Sequence, residues 1–188
     1  MEALLSAFLA AALAEIGDKT QWLALALGLH FRRPLPVLTG IALAALANSA
    51  IAAAAGLYIA PLLTREAATL LLALALLSAA AGALWRQKRP GAVDGWKLGA
   101  FLSSLLAFFI LELGDKTQFL SFAIATRTGS PILTALGATA GISLASTVAV
   151  ALGKGYQKAL PVRGLRLGAG IFFLLAGAVT ALVALRLI

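Results

Sequence analysis

The hexapeptide Glu-x-Gly-Asp-Lys-Thr occurs twice in this chain, as Glu15-Ile16-Gly17-Asp18-Lys19-Thr20 and as Glu112-Leu113-Gly114-Asp115-Lys116-Thr117, each time in the middle of a long apolar stretch. A charged side chain at a bilayer centre costs roughly 2.5 to 3.5 kcal/mol on insertion scales, so the charges of both motifs together cost on the order of 15 to 20 kcal/mol unless they are paired or hydrated. Four of the chain's 7 acidic residues, Glu15, Asp18, Glu112 and Asp115, sit inside the motifs. Charge placed where it costs most points to function rather than packing.

The apolar setting is general. With 188 residues, 62% hydrophobic and 12% charged, and a mean hydropathy of +1.00, the composition lies outside that of soluble domains and indicates an integral membrane protein. The absence of cysteine excludes disulfides and thiolate metal sites. The net charge of +8 does not imply a nucleic-acid partner, because the basic residues fall in short loops between apolar spans. Ala12-Leu13-Ala14 has the form of a signal-peptide cleavage site, but Glu2 replaces a positive leader and the apolar run continues through residue 28. It is read as a span.

Six segments are long enough to cross a bilayer as helices, approximately 3–28, 36–60, 67–85, 98–126, 132–152 and 168–187, separated by Pro-, Gly- and Arg/Lys-containing breaks. Loops one, three and five carry Arg32 and Arg33; Arg86, Lys88, Arg89 and Lys97; and Lys154, Lys158, Arg163 and Arg166, against Arg65, Arg127 and Arg186 on the other side. The positive-inside rule makes the first set cytoplasmic and both termini extracytoplasmic. Trp85 and Trp96 flank the basic third loop, as interfacial rings do.

At an offset of 97 residues the match extends beyond the motif to Gln21 with Gln118, Pro34 with Pro131, Gly40 with Gly137, Ser49 with Ser146 and Gly56 with Gly153. The expected fold is therefore all-α, with six transmembrane helices as two inverted three-helix repeats: residues 1–85, a cytoplasmic linker at 86–97, and residues 98–188. An odd number of crossings per repeat forces the inversion, and such repeats place ion sites near the midplane where the halves meet.

In a continuous helix Glu15 and Asp18 share a face, as do Glu112 and Asp115. Two such pairs brought together form an oxygen-rich cage for a hard divalent cation such as Ca²⁺ or Mn²⁺. Soft metals are disfavoured: Met1 is the only methionine, and the one histidine, His30, is expected in the first loop, away from the motifs. Gly17 and Gly114 permit either local unwinding or plain close packing, and the sequence leaves the two level. Thr20 and Thr117 join the site only if the helices unwind. Lys19 and Lys116 lie four residues after Glu15 and Glu112, the spacing of intrahelical salt bridges. Four carboxylates and two ammonium groups sum to minus two, matching one divalent cation or two protons. Gln21, Gln118, Asn48, Ser49 and Ser146 suit either a pathway or interhelical hydrogen bonds, and Gly137-x-x-x-Gly141 with Gly40-x-x-x-Ala44 reads as helix packing.

The doubled motif, six spans and inverted repeat resemble the Gdt-type cation/proton exchanger family over nearly the whole chain. The resemblance implies that Glu15, Asp18, Glu112 and Asp115 bind the ion, supported by Lys19, Thr20, Lys116 and Thr117, with Gln21, Gln118, Gly17 and Gly114 around them. It also implies no prosthetic group, Mn²⁺ or Ca²⁺ as cargo and protons as counter-ion. The short chain resembles the prokaryotic form, implying a plasma-membrane manganese exporter. An acid-lined cation channel and a non-transporting scaffold are the alternatives. Nothing suggests an enzyme, since there is no nucleotide-binding loop and no nucleophile with a base.

Overall fold

The computed structural model describes residues 1–85 and 98–187, so the linker expected at 86–97 lies outside the described residues. Those described are helical, with no strand among them: α1 (Glu2–Glu15), α2 (Lys19–Phe31), α3 (Pro34–Ile59), α4 (Arg65–Leu84), α5 (Gly99–Glu112), α6 (Lys116–Thr128), α7 (Pro131–Leu152), the short α8 (Tyr156–Ala159) and α9 (Val162–Ala184). The repeat persists in the elements. The starts of α5, α6, α7 and α9 each fall 97 residues after those of α1, α2, α3 and α4, and Pro34 and Pro131 each open a helix at the position where a missing N–H costs nothing.

Four segments are long and apolar enough to cross a membrane as single helices: Pro34–Leu62, Arg65–Leu84, Pro131–Ala159 and Val162–Ala184. The other two expected spans, 3–28 and 98–126, are each divided into two short helices at the motif. A second difference concerns the break expected from Gly153 to Arg166. There α8 forms and α9 begins at Val162, so Arg163 and Arg166 lie on a helix.

Helices pack through small residues, which lets backbones approach where lipid removes any hydrophobic drive between helices. Along α1 the buried apolar residues are Ala3, Ala7, Ala11 and Ala14, and Ala11 of this stripe meets Gly141 of α7. A methyl group on Gly137 would meet the Leu4 carbonyl oxygen, and one on Gly40 of α3 would stand 2.5 Å from that of Phe101 on α5. These are equivalent contacts in the two repeats. Gly137 meets Leu4 and Gly141 meets Phe8 and Ala12, so α1 and α7 run in the same direction. In α3, Gly40 meets Phe101 while Asn48 bonds Phe109, so α3 and α5 also run together. α4 and α9 run antiparallel, with Gly170 against Leu84 and Gly177 against Leu77.

Large apolar side chains such as Leu5, Leu9, Ile51, Leu74 and Leu175 face outward, a surface suited to lipid. Met1, Arg65 and Arg127 line one surface cavity of about 450 Å³, and Arg186 pairs with Glu66. Met1 and Arg186 therefore lie at one end of the bundle. At the opposite end Gly28 abuts Val150, and Gly153 approaches Leu29.

Candidate cation site

Each motif is a tight turn between two half-helices. After Glu15 the chain passes through Ile16 (φ −61°, ψ 114°) and Gly17 (φ +68°), and Asp18 N–H donates back to the Glu15 carbonyl at 3.1 Å. After Glu112, Leu113 (φ −62°, ψ 121°) and Gly114 (φ +75°) repeat the path, with Asp115 N–H to Glu112 O at 3.0 Å. These are the dihedrals and hydrogen bond of a type II turn, whose third residue needs positive φ and hence glycine. The unwinding reading holds for both glycines.

The following helix start is capped from within. Gln21 Oε1 accepts the Gly17 N–H at 2.7 Å and Gln118 Oε1 accepts the Gly114 N–H at 2.6 Å, so each glutamine reaches back over the first turn to the residue before the N-cap, one position beyond the partner in a capping box. Their amide nitrogens donate across helices, Gln21 to Ala145 O at 3.0 Å and Gln118 to Asn48 O at 3.4 Å. Asp18 and Asp115 occupy the N-cap positions, yet neither side chain caps its helix. Their carboxylates are turned to other partners.

Those partners are lysines, mostly of the opposite repeat. Lys116 Nζ lies 2.6 Å from Asp18 and 3.3 Å from Asp115, and Lys19 Nζ lies 2.9 Å from Asp115. The intrahelical pairs expected from Lys19 to Glu15 and from Lys116 to Glu112 do not form. The turn removes the helical register on which four-residue spacing depends, and the starts of α2 and α6 lie close enough for each lysine to meet the aspartate of the other repeat. Among the described residues neither Glu15 nor Glu112 forms an ion pair.

Glu15, Glu112 and Asp115 converge, with one carboxylate oxygen from each lying within 4.8 Å of the others. Glu15 and Glu112 are fully buried. Asp18, also buried, faces Lys116 instead of joining these three. The threonines are at the site, as the unwound turn allows: Thr20 Oγ1 donates to Glu15 Oε2, and Thr117 Oγ1 donates across the interface to Glu15 Oε1 at 2.9 Å. Glu15 thus receives a hydroxyl on each oxygen. Glu112 has no hydrogen-bond partner on either oxygen among the described residues.

The two turns also differ in their cover. A methyl group on Gly17 would meet Val162 and Arg166 of α9, at 2.9 and 3.2 Å, whereas among the described residues nothing lies within 4 Å of one on Gly114. Asp18 is 2% exposed against 13% for Asp115, and Leu113 beside Gly114 is 58% exposed. The first turn is closed over and the second is open.

Three contributors carry little signal in the sequence. Tyr156 lies in a stretch read as a basic loop, but it is buried against Trp22, with ring centroids 5.6 Å apart, and its hydroxyl donates to Gln21 Oε1. Val162 and Arg166, also in that stretch, cover the first turn. The clue was available in the repeat: Val162 and Arg166 correspond to Arg65 and Thr69 at the start of α4.

Apolar helices thus surround a set of carboxylates and lysines in which Glu15, Asp18 and Glu112 are buried. The sequence profile of the divalent cation/proton antiporter GDT1 matches residues 3–91 and 100–186. The chain belongs to that family. It is 36% identical over 167 residues to a Vibrio cholerae serotype O1 (strain ATCC 39541 / Classical Ogawa 395 / O395) protein named "Putative manganese exporter", covering 88% of this chain and 84% of that one. No solved structure matches.

Proposed function

We propose that the protein exports Mn²⁺ in exchange for protons, with Glu15 and Glu112 as the carboxylates that trade one for the other. The observation that carries this reading is the partition of charge. Lys116 and Lys19 neutralise Asp18 and Asp115, leaving two negative charges on the unpaired glutamates. One divalent cation or two protons balances them, so the loaded site crosses the apolar interior in either form without net charge. Asp115 adds a third oxygen donor at the rim, and Asp18 acts through Lys116. An all-oxygen site suits Mn²⁺ and also admits Ca²⁺ as a second cargo. Manganese export is the activity in the name of the Vibrio cholerae relative, and a plasma-membrane location fits a bacterial exporter.

In this reading α1 with α2, and α5 with α6, each make one crossing as broken helices, giving six crossings in two inverted repeats. The parallel pairings of α1 with α7 and α3 with α5 support it, because a short link at residues 32–33 reverses the chain between α2 and α3. The end holding Met1, Arg65, Arg127 and Arg186 is extracytoplasmic, since the opposite loops are richer in lysine and arginine. Cover over Gly17 and none over Gly114 fits one of two alternating states, with rocking of the repeats exchanging the cover.

Protons and cation compete for the same two glutamates. Mn²⁺ binding to the purified protein is expected to weaken as pH falls, with about two protons released per ion bound at low pH. Calorimetric titration in buffers of different ionisation enthalpy measures that number. Binding that is independent of pH, with no proton release, would remove the exchange reading.

A further inference from the structure

Among the buried positions at which the repeats differ is one where the backbone contact around it is the same in both. Gln118 of the second motif donates to the carbonyl oxygen of Asn48, and Gln21 of the first motif donates to that of Ala145, the residue 97 positions later. The same backbone contact is made with and without a side-chain amide, so the scaffold does not require asparagine there. Asn48 is 1% exposed, and its Nδ2 donates to Phe109 O at 3.1 Å, which accounts for the nitrogen half of the amide. Its Oδ1 is buried with no partner among the described residues, an arrangement that costs about 1 to 3 kcal/mol if nothing compensates it.

The helix register indicates what compensates it. α3 and α5 run in the same direction, and Gly40 meets Phe101, Ser104 and Leu105. Advancing both helices by two turns sets Asn48 alongside Phe109, where the hydrogen bond is found, and alongside Glu112. Because a carbonyl can only accept, the amide nitrogen is fixed toward Phe109 O and Oδ1 is left free on the other side of the amide. Glu112 likewise has two buried oxygens without a donor, while both oxygens of Glu15 are filled by Thr20 and Thr117. Two unpartnered acceptor groups buried beside each other are favourable only when a cation or proton joins them.

We propose that Asn48 Oδ1 is a neutral ligand of the transported cation, holding it on the Glu112 side of the site. The inference rests on the exchanger reading and adds to it a determinant of affinity. A carbonyl ligand raises the coordination number of a hard divalent ion without adding charge, so the balance of one cation against two protons is kept.

The test is Mn²⁺ binding and flux for wild type, Asn48→Ala and Asn48→Asp in detergent and proteoliposomes. Asn48→Ala is expected to raise the KM for Mn²⁺ about tenfold, within the range for loss of a supporting group at a metal site, with maximal rate much less affected. Asn48→Asp keeps an oxygen but loses the donor to Phe109, so it is expected to bind Mn²⁺ at least as tightly as wild type while turning over more slowly, because the loaded site then carries an extra negative charge. Equal loss of binding in both variants would make Asn48 a hydrogen-bond donor to Phe109 and nothing more. An unchanged KM in Asn48→Ala would overturn the assignment and leave the glutamate site standing. A wild-type protein that binds no Mn²⁺ would overturn both.

Discussion

Glu112→Gln is expected to reduce Mn²⁺ export by about 100-fold while leaving the protein inserted and folded. The substitution keeps the shape of the side chain and removes one of the two negative charges not matched by lysine. The cation-loaded site then carries one unbalanced charge through the apolar interior, and a charge there costs roughly 3 kcal/mol, or about two orders of magnitude. Both Glu112 oxygens lack a hydrogen-bond partner among the described residues, so the amide breaks no existing bond and the melting temperature in detergent should change little. Glu15→Gln should lose transport similarly but also perturb stability, because Thr20 and Thr117 both donate to that carboxylate. Flux assays on reconstituted protein, paired with thermal melts, separate the two effects. Near-normal transport by Glu112→Gln would contradict the assignment.

Lys116→Met is expected to be the most destabilising single change at the site, and Asp18→Asn in the same chain should reverse it. Lys116 is 7% exposed and Asp18 2% exposed, at 2.6 Å from each other. Removing one member of a buried pair leaves an uncompensated charge and costs about 3 to 5 kcal/mol, whereas replacing both is often nearly neutral. The double variant retains the Lys19–Asp115 pair and both glutamates, so it should recover transport as well as folding. A double variant that folds but does not transport would make Asp18 a ligand of the ion, as the family resemblance alone implies. Size-exclusion profiles and Mn²⁺ flux for the three variants decide between these roles.

Much of the architecture is legible in the sequence because the repeat is literal: the 97-residue offset recovered from the motifs also relates the helix starts. The concentration of acid in apolar segments likewise picks out Glu15, Glu112 and Asp115, which converge in the fold as a candidate site. What the sequence leaves open is the backbone at Gly17 and Gly114, since a glycine in an apolar helix suits a packing contact as well as a turn. Once the turn forms, spacing rules for a continuous helix fail, which is why Lys19 and Lys116 meet aspartates across the interface and why Thr20 and Thr117 reach Glu15. Arg163, Gly164 and Arg166 look like loop, yet they belong to the first turns of α9, where Val162 and Arg166 pack against Gly17. The unequal surroundings of Glu15 and Glu112 are invisible in two matching motifs. They arise only when Thr117 crosses to the other repeat and Asn48 stands where the equivalent position has Ala145.

The most direct test of obligatory exchange is Mn²⁺ flux in proteoliposomes with membrane voltage clamped at zero, with and without a pH gradient, while internal pH is recorded. The account predicts that a proton gradient alone drives Mn²⁺ uphill, with about two protons moving the opposite way per ion as charge balance at Glu15 and Glu112 requires. Mn²⁺ flux that ignores the gradient and moves no protons would contradict it and make the acidic site the lining of a channel.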